Sequence, residues 1–136
     1  MQLSPYLHFN GQCETAFRFY EQCLGGKIDV LLKHGDAPMP EPVPEAWRNA
    51  ILHASLTVGE QVLLGSDSPP EYYHKPEGFY VSLSVDTPAE AERIFQLLAE
   101  NGQVRMDLQK TFWSPSFGML SDRFDIPWII NCTAAA

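Results

Sequence analysis

The sequence predicts an α+β fold made of two consecutive strand–helix–three-strand (βαβββ) units whose sheets enclose a shared cavity. Three observations support this prediction: an apolar strand pattern precedes an amphipathic helix twice, a glycine-containing pair ends each helix, and three further strand patterns follow it. One unit alone would leave a face of its sheet uncovered. Two units can each complete the other, so the repeat predicts a single domain.

The composition is typical of a globular protein, with 136 residues, 19% charged side chains and a net charge of −8. We expect one domain over residues 1–136, with units at roughly 1–67 and 78–133. The acidity argues against a nucleic-acid partner, since phosphates require a basic face. No apolar run approaches the roughly 18 residues of a membrane span, and residues 1–5 do not resemble a signal peptide. We therefore expect a cytoplasmic protein without membrane contact.

The three cysteines predict no disulfide framework and no metal site. Cys13, Cys23 and Cys132 are odd in number and lack the spacing of metal ligands. We interpret them as small buried apolar side chains.

The first unit begins with a strand pattern at residues 4–11 that Gly11 interrupts. Apolar side chains then recur at helical spacing over residues 12–24. The pair Gly25-Gly26 ends this helix, because glycine accepts left-handed backbone geometry. Three strand patterns follow, at residues 27–33, 51–58 and 61–64.

Four prolines alternate along the segment between the second and third strands of the first unit, residues 34–48. Alternating prolines remove backbone donors and keep the chain extended, so this segment predicts a loop. Its central part, residues 37–44, is a candidate lid or dimer contact. A second proline-bearing loop is predicted over residues 65–77.

The second unit repeats this plan. A strand pattern at residues 78–86 leads to Thr87, which we predict as the helix N-cap, with Pro88 in the first turn and Glu90 closing a capping box. Asn101-Gly102 stops the helix. Strand patterns follow at residues 104–111, 116–121 and 128–132.

Superposing the two helices places Ala16 on Ala91, an offset of 75 residues, which also places Pro5 on Tyr80. Alternation along the third and fifth strands separates an apolar face from a polar one that carries His53 or Tyr80. The apolar faces are expected to pack under the helices, and the others to line a cavity or to face solvent. In the first strand, Pro5, Leu7 and Phe9 are predicted on the cavity face and His8 on the helix face.

Five segments, taken in order, resemble the vicinal oxygen chelate superfamily, which includes glyoxalase I, bleomycin-resistance proteins and extradiol dioxygenases, and more narrowly its PhnB-like group. They cover nearly the whole chain: Pro5–Gly11, the helix with Phe19-Tyr20 ending at Leu24-Gly25-Gly26, Leu64–Asp67, Thr111–Trp113 with Phe117-Gly118, and Asp122–Phe124 through Pro127–Asn131. The resemblance implies paired βαβββ modules with curved mixed sheets, the glyoxalase/bleomycin-resistance fold, and usually a homodimer.

In metal-using relatives, one ligand comes from each of the first, fourth, fifth and eighth strands, typically His or Glu. Alignment without gaps through the first helix places these positions on Pro5, about Leu64, Tyr80 and Ile129. Tyrosine is a rare ligand, and the other three side chains cannot ligate. The resemblance therefore implies a lost metal site and no cofactor. It argues against glyoxalase I and dioxygenase activity.

A methyltransferase is not supported either. Gly25-Gly26 follows a helix, whereas an S-adenosylmethionine site needs a glycine-rich turn after a strand. The remaining histidines are scattered, with His34 and His74 in or beside loops. Only His53 is predicted on an inward face.

The main hypothesis is a metal-free binding protein whose cavity takes a small, partly aromatic or amphipathic molecule. Aromatic walls bury apolar ligand surface, while polar tips fix its orientation by hydrogen bonds. For each predicted residue, core packing without a ligand is the alternative role. The predicted lining consists of Phe9, His53, Tyr80, Trp113, Phe117 and Asn131.

Two alternatives remain open. The chain could be an enzyme that uses cavity side chains, such as His53 beside Asp67, or a non-standard metal. It could also be a scaffold whose dimerisation matters more than its pocket. The sequence does not name the ligand.

Overall fold

The computed structural model describes residues 1–38 and 40–133. The chain divides after His74 into two compact units, Met1–His74 and Lys75–Ala136, which we call module 1 and module 2. Each contains one helix and one four-stranded sheet.

Module 1 has the strand order β1-β4-β3-β2, with β1 parallel to β4 and the other neighbours antiparallel. Two short 3₁₀ turns, His34–Asp36 and Glu45–Trp47, lie in the proline-rich segment that was predicted as a loop. Residue 39 of that loop lies outside the described residues. The regular elements are β1 (Tyr6–Phe9), α1 (Cys13–Leu24), β2 (Lys27–Lys33), β3 (Ile51–Val58) and β4 (Gln61–Asp67).

Module 2 repeats this topology with the order β5-β8-β7-β6 and the same pattern of one parallel and two antiparallel pairings. The predicted α+β fold of two βαβββ modules is therefore confirmed, with two open mixed sheets. The shared cavity stays a prediction. The elements of module 2 are β5 (Val81–Val85), α2 (Pro88–Ala99), β6 (Gln103–Gln109), β7 (Phe117–Ser121) and β8 (Pro127–Cys132).

The two helices begin in different ways. The Thr87 hydroxyl accepts the backbone N–H of Glu90 at 3.2 Å, so the predicted N-cap of α2 is confirmed. The Arg93 guanidinium donates to the Glu90 carboxylate at 2.6 Å, and the two side chains form an ion pair along the helix. At α1, Gln12 gives no side-chain cap, and the Asp67 carboxylate from the end of β4 accepts the N–H of Cys13 at 2.8 Å.

Both helices bury an apolar stripe against their own sheet. In α1 the stripe is Cys13, Ala16, Phe17, Tyr20 and Cys23, and in α2 it is Ala91, Ile94, Phe95 and Leu98. Gly65 of β4 admits the ring of Phe17, whose nearest carbon would lie 2.6 Å from an added Cβ. All three cysteines are buried, as predicted. Neither helix in the described part of the chain is long and apolar enough to cross a membrane.

The predicted faces of the first strand are wrong. Phe9 is 1% exposed and contacts Phe17 and Tyr20 of α1, so Leu7 and Phe9 face the helix, while Tyr6 and His8 face away from it. The sheet pairings show why: the buried pair Leu7–Gly65 corresponds to Leu83–Ile130, an offset of 76 residues. Module 1 has one more residue than module 2 between its first strand and its helix, where Gly11 adopts a φ of 88°.

Candidate functional site

Each sheet has an open face, which we define as the face opposite its own helix. In module 1 this face carries Tyr6 and His8 of β1 and His53 of β3. In module 2 the close approach of Phe95 to Gly118 shows which face of β7 the helix covers. Phe117, on the same strand, therefore lies on the open face.

The open face of module 1 holds a polar cluster of Tyr6, His8 and His53, with Ser68 beside it. The Tyr6 hydroxyl lies 3.0 Å from His53 Nδ1, and the Ser68 hydroxyl lies 2.9 Å from His8 Nδ1. The Tyr6 ring also contacts both imidazoles, with ring centroids 5.6 Å from His8 and 5.7 Å from His53. Tyr6 is 45% exposed, so a ligand can reach this cluster.

The hydrogen bond at Nδ1 determines what His53 offers to a ligand. When a neutral imidazole accepts a hydroxyl proton at Nδ1, its own proton resides on Nε2. His53 can then donate from Nε2, while Tyr6 keeps a lone pair that can accept. The pair can therefore hydrogen-bond a polar group or exchange a proton with it.

The open face of module 2 holds an aromatic stripe, which we define as Trp113, Phe117 and Asn131. Phe117 of β7 is the register partner of Asn131 of β8, so their side chains are neighbours. The Trp113 ring meets Phe117 edge to face, with centroids 5.2 Å apart. The Asn131 Oδ1 atom is buried and accepts no hydrogen bond from the described residues.

The turn that carries Trp113 is held rigidly at its end. Ser114 is 3% exposed, and its hydroxyl donates to the carbonyls of Ser116 at 2.9 Å and Cys132 at 2.7 Å. The turn closes through the N–H of Thr111, which donates to the Ser114 carbonyl. It presents Phe112 at 97% and Trp113 at 54% exposure, with their rings 4.8 Å apart.

The structure brings three of the predicted lining residues together, namely those of the aromatic stripe. His53 lies on an open face, as predicted, but its partner is Tyr6 and not Asp67. Tyr80 is half-buried just before β5, and Phe9 packs under α1, so it does not line an open face. That the predicted residues bind one ligand stays a prediction.

Sequence reasoning missed Tyr6 and His8 as open-face residues. Strand alternation places Tyr6 and His8 on one face of the strand, but it does not decide whether that face is buried. The gapless alignment through the helix shifted the strand by one residue and assigned that face to the helix side.

Two buried carboxylates accept hydrogen bonds from backbone N–H groups and do not form a functional site. Asp67 accepts the N–H groups of Cys13 and Ile51, each at 2.8 Å. Asp122 accepts the N–H groups of Phe124 and Ile126 and the indole N–H of Trp128. Burial, then the nearby carboxylates of Asp67 and Glu14, raise the pKa of the Cys13 thiol far above its usual range, so it is not a nucleophile.

The side chains on the open face of module 1 do not fit the metal that metal-using relatives hold. Within residues 1–38 and 40–133, no three His, Cys, Asp or Glu side chains come together to hold an ion. On the open face of β1, Tyr6 is paired with Leu64 and His8 with Ser66. The two imidazoles on this face, His8 and His53, each bond a hydroxyl through Nδ1, and among the described residues no carboxylate joins them to complete such a site.

Comparison with known proteins decides the family. A family model described as Glyoxalase/Bleomycin resistance protein/Dioxygenase superfamily matches residues 2–130. The chain belongs to this superfamily.

This superfamily member also resembles individual proteins along almost its whole length. Protein YjdN of Escherichia coli (strain K12) is 33% identical over 141 residues, covering 96% of this chain and 95% of YjdN. The crystal structure of protein PA1353 from Pseudomonas aeruginosa is 47% identical, with a TM-score of 0.91 and 99% of both chains covered. The PhnB protein of Bacillus cereus shares the fold at 23% identity, with a TM-score of 0.78 over 97% of this chain and 99% of that one.

Proposed function

We propose that this superfamily member is a small-molecule-binding protein of the PhnB-like type, which holds its ligand with side chains and without a metal. The observation that carries the proposal is the aromatic stripe. Trp113, Phe117 and Asn131 come from a turn and two strands, and they meet on one face of one sheet.

The aromatic stripe has the features of a binding surface. Covering exposed aromatic rings with a flat or apolar group lowers the free energy, because apolar surface is removed from water, and edge-to-face contact is a favoured arrangement of such rings. The half-buried Asn131 carboxamide lies beside these rings, so its amide group can hydrogen-bond a polar group of a ligand that covers them. Together they favour a ligand that is partly aromatic and carries a polar group.

The positions that would hold a metal in relatives support the metal-free part of the proposal. With the corrected offset of 76 residues, the fifth-strand position Tyr80 corresponds to Ser4 before β1, and the fourth- and eighth-strand positions stay at Leu64 and Ile129. This set offers no carboxylate or imidazole. Side-chain hydrogen bonds and aromatic contacts therefore replace the ion in the proposal.

A thermal-shift screen of metabolites and drugs tests the binding function. A true ligand raises the melting temperature by mass action, by an amount that grows with its concentration. The hits should weaken in Phe117→Ala and Asn131→Ala, and in His53→Ala and Tyr80→Ala if those residues also contribute. Val104→Ala, which truncates an exposed apolar side chain on β6, is the control and should leave binding unchanged.

Two results would contradict the proposal. Stoichiometric Zn, Ni, Mn or Fe in protein purified without added metal would contradict the metal-free part. A screen in which no compound raises the melting temperature would contradict the binding function. Equal behaviour of Phe117→Ala and Val104→Ala for every hit would contradict the assignment of the site to the aromatic stripe.

A second candidate function is acid–base catalysis, because the Tyr6 hydroxyl is hydrogen-bonded to His53 on an accessible face. In that case a hit from the screen should be converted to a product detectable by mass spectrometry. Tyr6→Phe and His53→Gln should abolish the conversion while leaving the ligand bound.

We also propose that the protein is a cytoplasmic homodimer, as its sequence and its family lead us to expect. Light scattering after size-exclusion chromatography tests the assembly. A single species at the mass of one chain would contradict it.

A further inference from the structure

A groove of about 630 Å³ lies beside the rigid turn of module 2. Its described lining includes Pro88 at the start of α2, Thr133 after β8, and Lys110, Phe112 and Trp113 of the turn. The volume is within the range of about 300–1,000 Å³ that holds small molecules. The groove shares Trp113 with the aromatic stripe.

The groove combines exposed aromatic rings with one charge. Phe112 and Trp113 are in edge-to-face contact, which leaves the outer ring of Phe112 almost wholly exposed. Lys110 is the charged side chain among the described lining residues. It forms no ion pair with any carboxylate of the described residues, although the chain carries a net charge of −8.

We propose that this groove binds an aromatic carboxylate. The ring of the ligand packs against Phe112 and Trp113, and its carboxylate pairs with the Lys110 ammonium group. A neutral aromatic would leave Lys110 unpaired, and an aliphatic acid would leave the rings exposed, so the combination selects for both groups in one molecule. This inference rests on the proposed function and names the ligand class for it.

A matched pair of probes tests both parts of the inference. The first probe is 2-naphthoate, and the second is 2-naphthylmethanol, which has the same ring system but no charge. Each is titrated into the full chain, and binding is followed by the NMR signal of the Trp113 indole N–H, which Trp113→Phe identifies. We expect 2-naphthoate to bind about threefold to fivefold more tightly, the effect of one partly exposed ion pair.

The variants separate the charge from the rings. Lys110→Gln should remove the preference for 2-naphthoate, and Phe112→Ala should weaken both probes by about threefold to tenfold. Both side chains are exposed, so neither change should unfold the protein. Lys27→Gln and Tyr72→Ala, at exposed positions of module 1, are the matched controls and should change neither affinity.

The results distinguish this inference from the proposed function. Equal affinity for the two probes, or a preference that survives Lys110→Gln, overturns the assignment to a carboxylate. If neither probe moves the Trp113 signal while hits from the thermal-shift screen still depend on Phe117, the groove is not the binding site for an aromatic carboxylate, and the proposed binding function stands. If no compound binds in either experiment, both fail.

Discussion

The two modules have the same topology but start their helices by different means. In module 2 the N-cap is local, since Thr87 caps a helix that begins one residue later. In module 1 the carboxylate that bonds the first turn comes from Asp67, 54 residues along the chain from Cys13. The same architecture is therefore specified once by neighbouring residues and once by tertiary structure.

The open faces differ in a similar way. Module 1 presents hydroxyl and imidazole groups that already bond one another, whereas module 2 presents aromatic rings beside a half-buried carboxamide. The first arrangement suits proton exchange and the second suits binding. The two modules therefore share a topology and differ in the side chains on their open faces.

The largest expected effect is at the long-range cap. Asp67 is 5% exposed and accepts two backbone N–H groups, so Asp67→Ala leaves both donors buried without an acceptor. We expect the free energy of unfolding to fall by about 3 kcal/mol, measured by urea denaturation. The control Asp36→Ala, at an exposed position, should change it by less than about 0.5 kcal/mol. Similar losses in both variants would show that Asp67 is not a cap.

The next effect is a dependence of stability on pH that originates in module 1. The folded state raises the pKa of Cys13, so above pH about 8.5 the unfolded chain releases a proton that the folded chain retains. The unfolded state then binds fewer protons, and the free energy of unfolding falls as pH rises, by up to about 1.4 kcal/mol per pH unit. Below that pH the contribution is constant.

Comparison with Cys13→Ala isolates this contribution from that of other groups that titrate in alkali. The variant should lose some stability at pH 7 through the missing packing, but its stability should decline less steeply between pH 8.5 and 10. Parallel curves for the two proteins would mean that Cys13 does not carry the effect.

The smallest effect is at the local cap. Thr87→Ala removes the hydroxyl that accepts the Glu90 N–H and should lower the free energy of unfolding by about 1 kcal/mol. Gln12→Ala, at the equivalent place in module 1, should change the free energy of unfolding by only a few tenths of a kcal/mol, because the Gln12 side chain provides no capping hydrogen bond. Equal losses at the two positions would remove the distinction between local and long-range capping.

The candidate site could be predicted only in part. Trp113, Phe117 and Asn131 belong together because strand alternation and sequence order place them near one face of the second sheet. Phe9 was wrongly included and Tyr6 was missed for a single reason: one additional residue near Gly11 shifts β1 relative to α1. A one-residue shift in a strand exchanges its two faces, so an alignment based on helices cannot determine them.

The sequence alone determined the order of elements, the two helices with their stops, the Thr87 cap and the duplicated βαβββ plan. These features depend on neighbouring residues, because helical periodicity, turn geometry and capping act over a few positions. Only the tertiary structure decided which face of β1 is buried, that Asp67 bonds Cys13 and Ile51, and that Tyr6 pairs with His53. Those contacts join residues distant in the chain, and their geometry depends on strand register, which the sequence pattern does not contain.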